Sequence, residues 1–194
     1  MEKGDFLTII LRSNKTIFSY KDILLFWGEP DSNATRVRLS YYVKKGQLIS
    51  VTRGLYAKDK KYDKNELASR IYTPSYVSFE TVLGQAGVTF QHYGQIFVAS
   101  YLSRGKKIDG QSYIFRKIKD IILANSEGVE NKEGKAIASK ERAFLDILYL
   151  NKDYHFDNLS ALDWERVFAI LPIYENKRMN KKVQSIYKEF KNKI

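Results

Sequence analysis

The stretch Ser32 to Ala57, SNATRVRLSYYVKKGQLISVTRGLYA, constrains this chain more than any other. Asn33 to Lys45 reads as a basic helix, with Ser32 or Asn33 available as its cap and Gly46 as its stop. Leu48 to Val51 and Leu55 to Ala57 read as two short strands around Thr52-Arg53-Gly54. A glycine in so tight a turn supplies the positive φ that the hairpin needs. A second helix precedes the stretch. It begins at Ser19, with Asp22 three residues on as a capping box, and ends at Gly28 and Pro30. Phe6 to Leu11 reads as a first helix. Helix, helix, basic helix and hairpin is the order of a winged helix-turn-helix, in which the last helix enters a DNA groove.

A helix used that way needs one face for the core and one for the groove. Leu39, Tyr42 and Val43 form the inward face. Arg36, Ser40 and Lys44, spaced four apart, lie opposite, with Asn33 and Tyr41 beside them. Arg contacts guanine edges bidentately and Asn pairs with adenine. Ser, Lys and Tyr more often reach phosphates. Arg38 and Lys45 are flanking contacts to the backbone, and Arg53 at the hairpin tip is placed for the minor groove. The expected DNA-binding set is therefore Asn33, Thr35, Arg36, Arg38, Ser40, Tyr41, Lys44, Lys45 and Arg53, carried on helix 32–45 and wing 48–57.

Charge supports this. The net charge is +11 over 194 residues. Residues 32–64 hold nine Lys/Arg against two Asp, and residues 177–194 hold seven against one Glu, which leaves the remainder at −2. Cations gathered in two blocks favour a polyanion, because each phosphate contact releases condensed counterions. For the C-terminal block, a solvated helix face explains the charge equally well.

The rest reads as a mixed α/β region. Asn65 to Tyr72 is an expected helix, and Thr73-Pro74-Ser75 the expected domain junction, giving units 1–73 and 74–194. A helix is expected over Ser78 to Ala86, then strands over Ile96 to Tyr101, Ser112 to Ile118, Ile121 to Ala124 and Ala136 to Ile137. Helices are expected over Lys140 to Leu150, Leu159 to Leu171 and Met179 to Lys191. The fold class is α+β: a winged helix-turn-helix, then a small sheet with flanking helices.

Three segments in order carry a family resemblance: RLSYYVKKGQLISVTRGLYAKD, ELASRIYTPSYVSFETVLGQAGV and IASKERAFLDILYL. Over about Phe6 to Leu150 the chain resembles the AbiEi antitoxins of bacterial abortive-infection systems. The resemblance implies an N-terminal winged helix that represses its own promoter through inverted repeats in double-stranded DNA. It also implies a C-terminal antitoxin domain that supports cooperative DNA binding. The functional partner implied is a nucleotidyltransferase toxin of the AbiEii type. Such systems are classed as type IV, in which antitoxin and toxin need not form a stable complex. The basic segment after Leu150 departs from the family, which leaves a stand-alone regulator as the alternative.

Catalytic motifs are sparse. There is no Cys, and His92 and His155 lack partners at metal-ligand spacing. Phosphate-cradling and nucleophile-elbow glycine motifs are absent. Asp120 with Glu133 and Lys135 matches the loose spacing of a Mg²⁺-dependent nuclease, but the Glu133-Gly134-Lys135 part lies in GVENKEGK, which reads as a turn. The expectation is a non-enzymatic protein without cofactor or metal. With no secretory leader and no span of bilayer length read from the sequence, a cytoplasmic location is expected.

Overall fold

The structure is a computed structural model that describes residues 5–151 and 153–192. Residues 1–4 of the N-terminal stretch and Lys193 of the basic C-terminal block lie outside the described residues. The protein is a mixture of helices and two sheets. The N-terminal part runs α1 (Asp5–Arg12), β1 (Ile17–Ser19), α2 (Tyr20–Trp27), α3 (Asn33–Lys44), β2 (Ile49–Thr52) and β3 (Leu55–Ala57). The chain continues through α4 (Lys64–Ile71), β4 (Ser75–Val77), α5 (Phe79–Gln85), β5 (Gln95–Ser100), β6 (Arg104–Ile108) and β7 (Gln111–Lys117). It ends with α6 (Asp120–Ala124), β8 (Val129–Lys132), β9 (Lys135–Ala138), α7 (Lys140–Leu150), α8 (Trp164–Ile170) and α9 (Lys177–Lys191).

Strands β1, β3 and β2 form a three-stranded antiparallel sheet in that order, with Ile17 opposite Ala57 and Ser50 opposite Tyr56. The larger sheet is mixed, in the order β6-β7-β5-β4-β9-β8. Its parallel pairs are β5 with β7 and β4 with β9.

Strand alternation makes the small sheet a wall between two cores. Phe18 turns to a cluster with Phe6, Ile10, Ile23, Trp27 and Leu39. Its neighbour Ile17 turns the other way and joins Leu55 and Ala57 in the larger core of the six-stranded sheet. Polar bonds reinforce this contact. Glu66 of α4 accepts from the Thr16 amide (2.8 Å) and hydroxyl (2.7 Å). Arg70 donates to Asp22 of α2 (2.7 Å) and to the Gly134 carbonyl of the β8–β9 turn (3.1 Å). Helix α4, N-terminal to the expected junction at Thr73–Pro74, lies against β4 and β9 of the large sheet. Packing thus joins α4 to the elements that follow it.

Three sequence expectations are corrected. Residues 121–124 were expected as a strand but are helical, because Lys119 opens a short turn whose Ile122 and Leu123 pack inward. The expected helix 159–171 is broken into a 3-10 turn (Leu159–Ala161) and α8, since Asp163 caps a fresh start by accepting from the Glu165 and Arg166 amides. Strands β1, β4, β6 and β8 were not expected at all. Among the described residues no helix is long and apolar enough to cross a membrane.

A fully buried ion pair braces the helical side. Arg142 and Asp146, one turn apart on α7, are both inaccessible to solvent, with Nε and Oδ1 3.3 Å apart. Asp146 also accepts from the hydroxyls of Tyr174 (2.6 Å), Ser78 (2.7 Å) and Tyr76 (3.0 Å). Arg142 donates to the carbonyls of Ile122 (2.7 Å) and Glu127 (2.7 Å), fixing the turn before β8. Removing one partner of such a pair leaves an uncompensated charge. Arg142→Met is therefore expected to destabilise the fold by about 3–5 kcal/mol in urea unfolding. Adding Asp146→Leu is expected to recover part of that loss.

Asp22 gives a pH signature. Burial pushes its carboxyl up, but hydrogen bonds from the Ser19 hydroxyl and amide, with Arg70 beside them, outweigh this and hold it at about 2. A carboxylate depressed on folding contributes stability above its ordinary value of 3.8 and loses it as pH falls toward about 2. Asp22→Asn is expected to remove roughly 1–2 kcal/mol of the acid-dependent loss of stability, after screening. Paired urea titrations at pH 6 and at about pH 3 would measure it, and equal pH dependence in both proteins would refute the assignment.

Candidate nucleic-acid interface

Helix α3 is set in place by what precedes it. The Ser19–Asp22 capping box is complete, and α2 ends on Gly28 in the left-handed conformation (φ 63°). Its Trp27 donates from the indole to the Phe6 carbonyl (2.8 Å) and meets Tyr42 of α3 edge to face (6.1 Å). Ser32 caps α3 by accepting from the Thr35 amide (3.2 Å). Leu39 and Tyr42 are buried and Val43 packs partly against the same cluster, as expected for the inward face. Gly46 (φ 69°) then turns the chain into β2.

The opposite side of α3 exposes Asn33, Arg36, Ser40, Tyr41, Lys44 and Lys45. These expected site residues thus share a solvent-facing surface. Arg53 is exposed at the β2–β3 tip beside Gly54 (φ 77°). The hairpin is anchored on both sides of its tip: the Tyr20 amide donates to the Gly54 carbonyl (3.2 Å), and Lys106 of β6 donates to the Thr52 hydroxyl (3.1 Å).

Thr35 does not belong to that surface. It is 0% exposed, and its hydroxyl lies within bonding distance of the Pro30 carbonyl (3.1 Å), Glu29 Oε2 (3.2 Å) and Ser32 Oγ (2.7 Å). The hydroxyl satisfies the α2–α3 connection, so Thr35 is corrected from a DNA contact to a structural residue.

The two arginines of α3 are both paired. Arg36 grips Asp31 with two parallel bonds, Nε to Oδ1 (2.9 Å) and Nη2 to Oδ2 (2.8 Å), and Tyr20 donates to the same carboxylate (2.8 Å). Arg38 donates to Glu29 (2.6 Å) and lies 3.9 Å from the Phe6 ring centroid. The hydrogen bond from Arg36 holds Asp31 below the usual carboxylate range, and that from Arg38 does the same for Glu29. No such pair involves Lys44, Lys45 or Arg53 among the described residues.

One exposed residue escaped the sequence reading. Val37 is 61% exposed and sits one turn from Asn33, Ser40 and Tyr41. The signal was present: an apolar residue off the Leu39/Tyr42 face of a helix. With Tyr41 it also borders a groove of about 690 Å³ against Phe6, Leu7 and Thr8 of α1.

Of the nuclease candidates, Asp120 opens α6. Lys135 bonds Asp63 (2.9 Å), and Glu133 sits in the β8–β9 turn at φ 53°. No group of three or more His, Cys, Asp or Glu among the described residues is placed to hold a metal ion. His155 lies on the surface near Asp157 (3.9 Å).

No family model matches the chain, and no curated protein matches it. Among solved structures, the Rv2827c protein from Mycobacterium tuberculosis is similar over 94% of this chain and 80% of its own length, at 10% identity and a TM-score of 0.44.

Proposed function

We propose that the N-terminal part is a winged helix-turn-helix and that the protein is a DNA-binding autorepressor and antitoxin of an AbiE-type toxin–antitoxin system. The observation that carries the DNA-binding part is the exposed side of α3. That helix is anchored through Leu39 and Tyr42, presents Asn33, Ser40 and Lys44 outward, and is followed at once by a hairpin tipped with Arg53. In this reading α3 enters the major groove of promoter DNA and β2–β3 is the wing. Lys44, Lys45 and Arg53 attract phosphates, while Arg36 and Arg38 act mainly through the carboxylates they orient.

The antitoxin part rests on the resemblance of residues 6–150 to the AbiEi family, with a nucleotidyltransferase toxin as functional partner. The basic segment after Leu150 favours one second reading, a stand-alone winged-helix regulator. Co-expression with the product of the neighbouring gene separates the two. Restored growth without co-purification supports the antitoxin, and a harmless neighbour supports the regulator.

For DNA binding the test is a mobility shift with duplex from upstream of the chain's own gene. Lys44→Ala with Arg53→Ala is expected to weaken binding at least tenfold near 0.1 M salt. It should also lower the log–log salt slope by about 2, one phosphate for each charge removed. Arg36→Ala is expected to weaken binding as well, because it leaves the Asp31 carboxylate unpaired beside the interface. Unchanged affinity in the double variant would remove the interface assignment.

A further inference from the structure

The side chains left to read bases on α3 share one chemistry. Guanine recognition calls for an available guanidinium or ammonium edge against O6 and N7. Arg36 has two donors on Asp31, and Arg38 is bonded to Glu29 and laid on Phe6. Lys44 and Lys45 stand at the C-terminal end of the helix, whereas base edges are met by the N-terminal residues of a recognition helix. Apart from the paired Arg36, the exposed residues of that first half are Asn33, Ala34 and Val37, with Ser40 following.

Val37 is the odd member. A β-branched residue lowers helix propensity, and at 61% exposure it gains little packing within the chain in return. Ala34 and Tyr41 lie three and four residues away, so the three make an apolar strip beside the polar line of Asn33, Ser40 and Lys44. In the major groove the one apolar group a base pair offers is the thymine C5-methyl, and Asn is the matching partner of adenine N6 and N7. Both therefore select the same base pair.

We propose that α3 reads A·T pairs, with Val37 packed on a thymine methyl and Asn33 on adenine. This rests on the DNA-binding reading above and narrows its ligand to A·T-rich duplex.

The test uses the full chain. Sites are enriched from a randomised duplex library, and each thymine of the selected site is then replaced by uracil, which removes only the methyl. Selected sites are expected to be A·T-rich where α3 sits. At one or two thymines, uracil is expected to weaken the wild type about fourfold, the burial value of one methyl group. Val37→Ser is expected to bind the thymine duplex as weakly as the wild type binds uracil, and to lose nothing further on substitution. Far-UV circular dichroism checks its folding, and Val37→Ala, a better helix former, replaces it if structure is lost.

Enrichment of G·C-centred sites would overturn the proposal. So would a wild type indifferent to uracil, or a Val37 variant that still loses fourfold. Each of these outcomes leaves duplex binding intact, so it removes the A·T reading alone. Failure to retain any duplex at about 50 mM salt removes both readings.

Discussion

The position of α3 depends on a wall three strands wide. Because successive residues of a strand point to opposite faces, Ile17 and Phe18 serve two cores from adjacent positions. A register slip of one residue would exchange them, placing Phe18 where the larger core holds Ile17. The flanking polar bonds oppose such a slip, since Thr16 is fixed twice by Glu66 and Ser19 twice by Asp22. Asp22 is in turn held by Arg70, which reaches the β8–β9 turn. The small sheet is therefore continuous in packing with the large one, and α3 inherits its orientation from both.

The second constraint is electrostatic and lies deeper. Arg142 and Asp146 occupy the interior of α7 at a desolvation cost that their mutual attraction offsets only because other groups complete the set. Burial pushes the Asp146 carboxyl up, and the guanidinium with three hydroxyls opposes that push. The donors from Arg142 meanwhile bind the carbonyls of 122 and 127. One pair thus orders the turn before β8, the start of α5 through Ser78, and the end of the α8 region through Tyr174.

What the sequence revealed follows the same physics. Helices α2, α3 and α7 were legible because caps, glycine stops and 3.6-residue spacing are written locally. The two strands after α3 were legible because Gly54 marks their turn. Strand β4 was hidden: its three residues, Ser75, Tyr76 and Val77, are all buried, so no alternation marks them and two are polar. Strand β6 was hidden for the opposite reason, since Arg104, Lys106 and Lys107 fill an edge where only Ile108 is buried. The outward set on α3 was readable from helical spacing. The pairing of Arg36 and Arg38 was not, because it depends on how the Glu29 to Asp31 turn folds back over the helix start. Thr35 was misjudged for the same reason: that turn consumes its hydroxyl.

These pairings divide the labour on α3 between attraction and selection. Each arginine brings a carboxylate with it, so the first half of the helix carries little net charge and gains little from phosphate. Lys44, Lys45 and Arg53, without such partners among the described residues, supply the long-range attraction, which does not depend on sequence. Selection then falls to short side chains that act only at contact, Asn33, Val37 and Ser40. An interface built this way is expected to hold any duplex weakly through its lysines. It would discriminate through a patch whose energy is mostly excluded water and methyl contact, so salt and sequence would act on it as nearly separate variables.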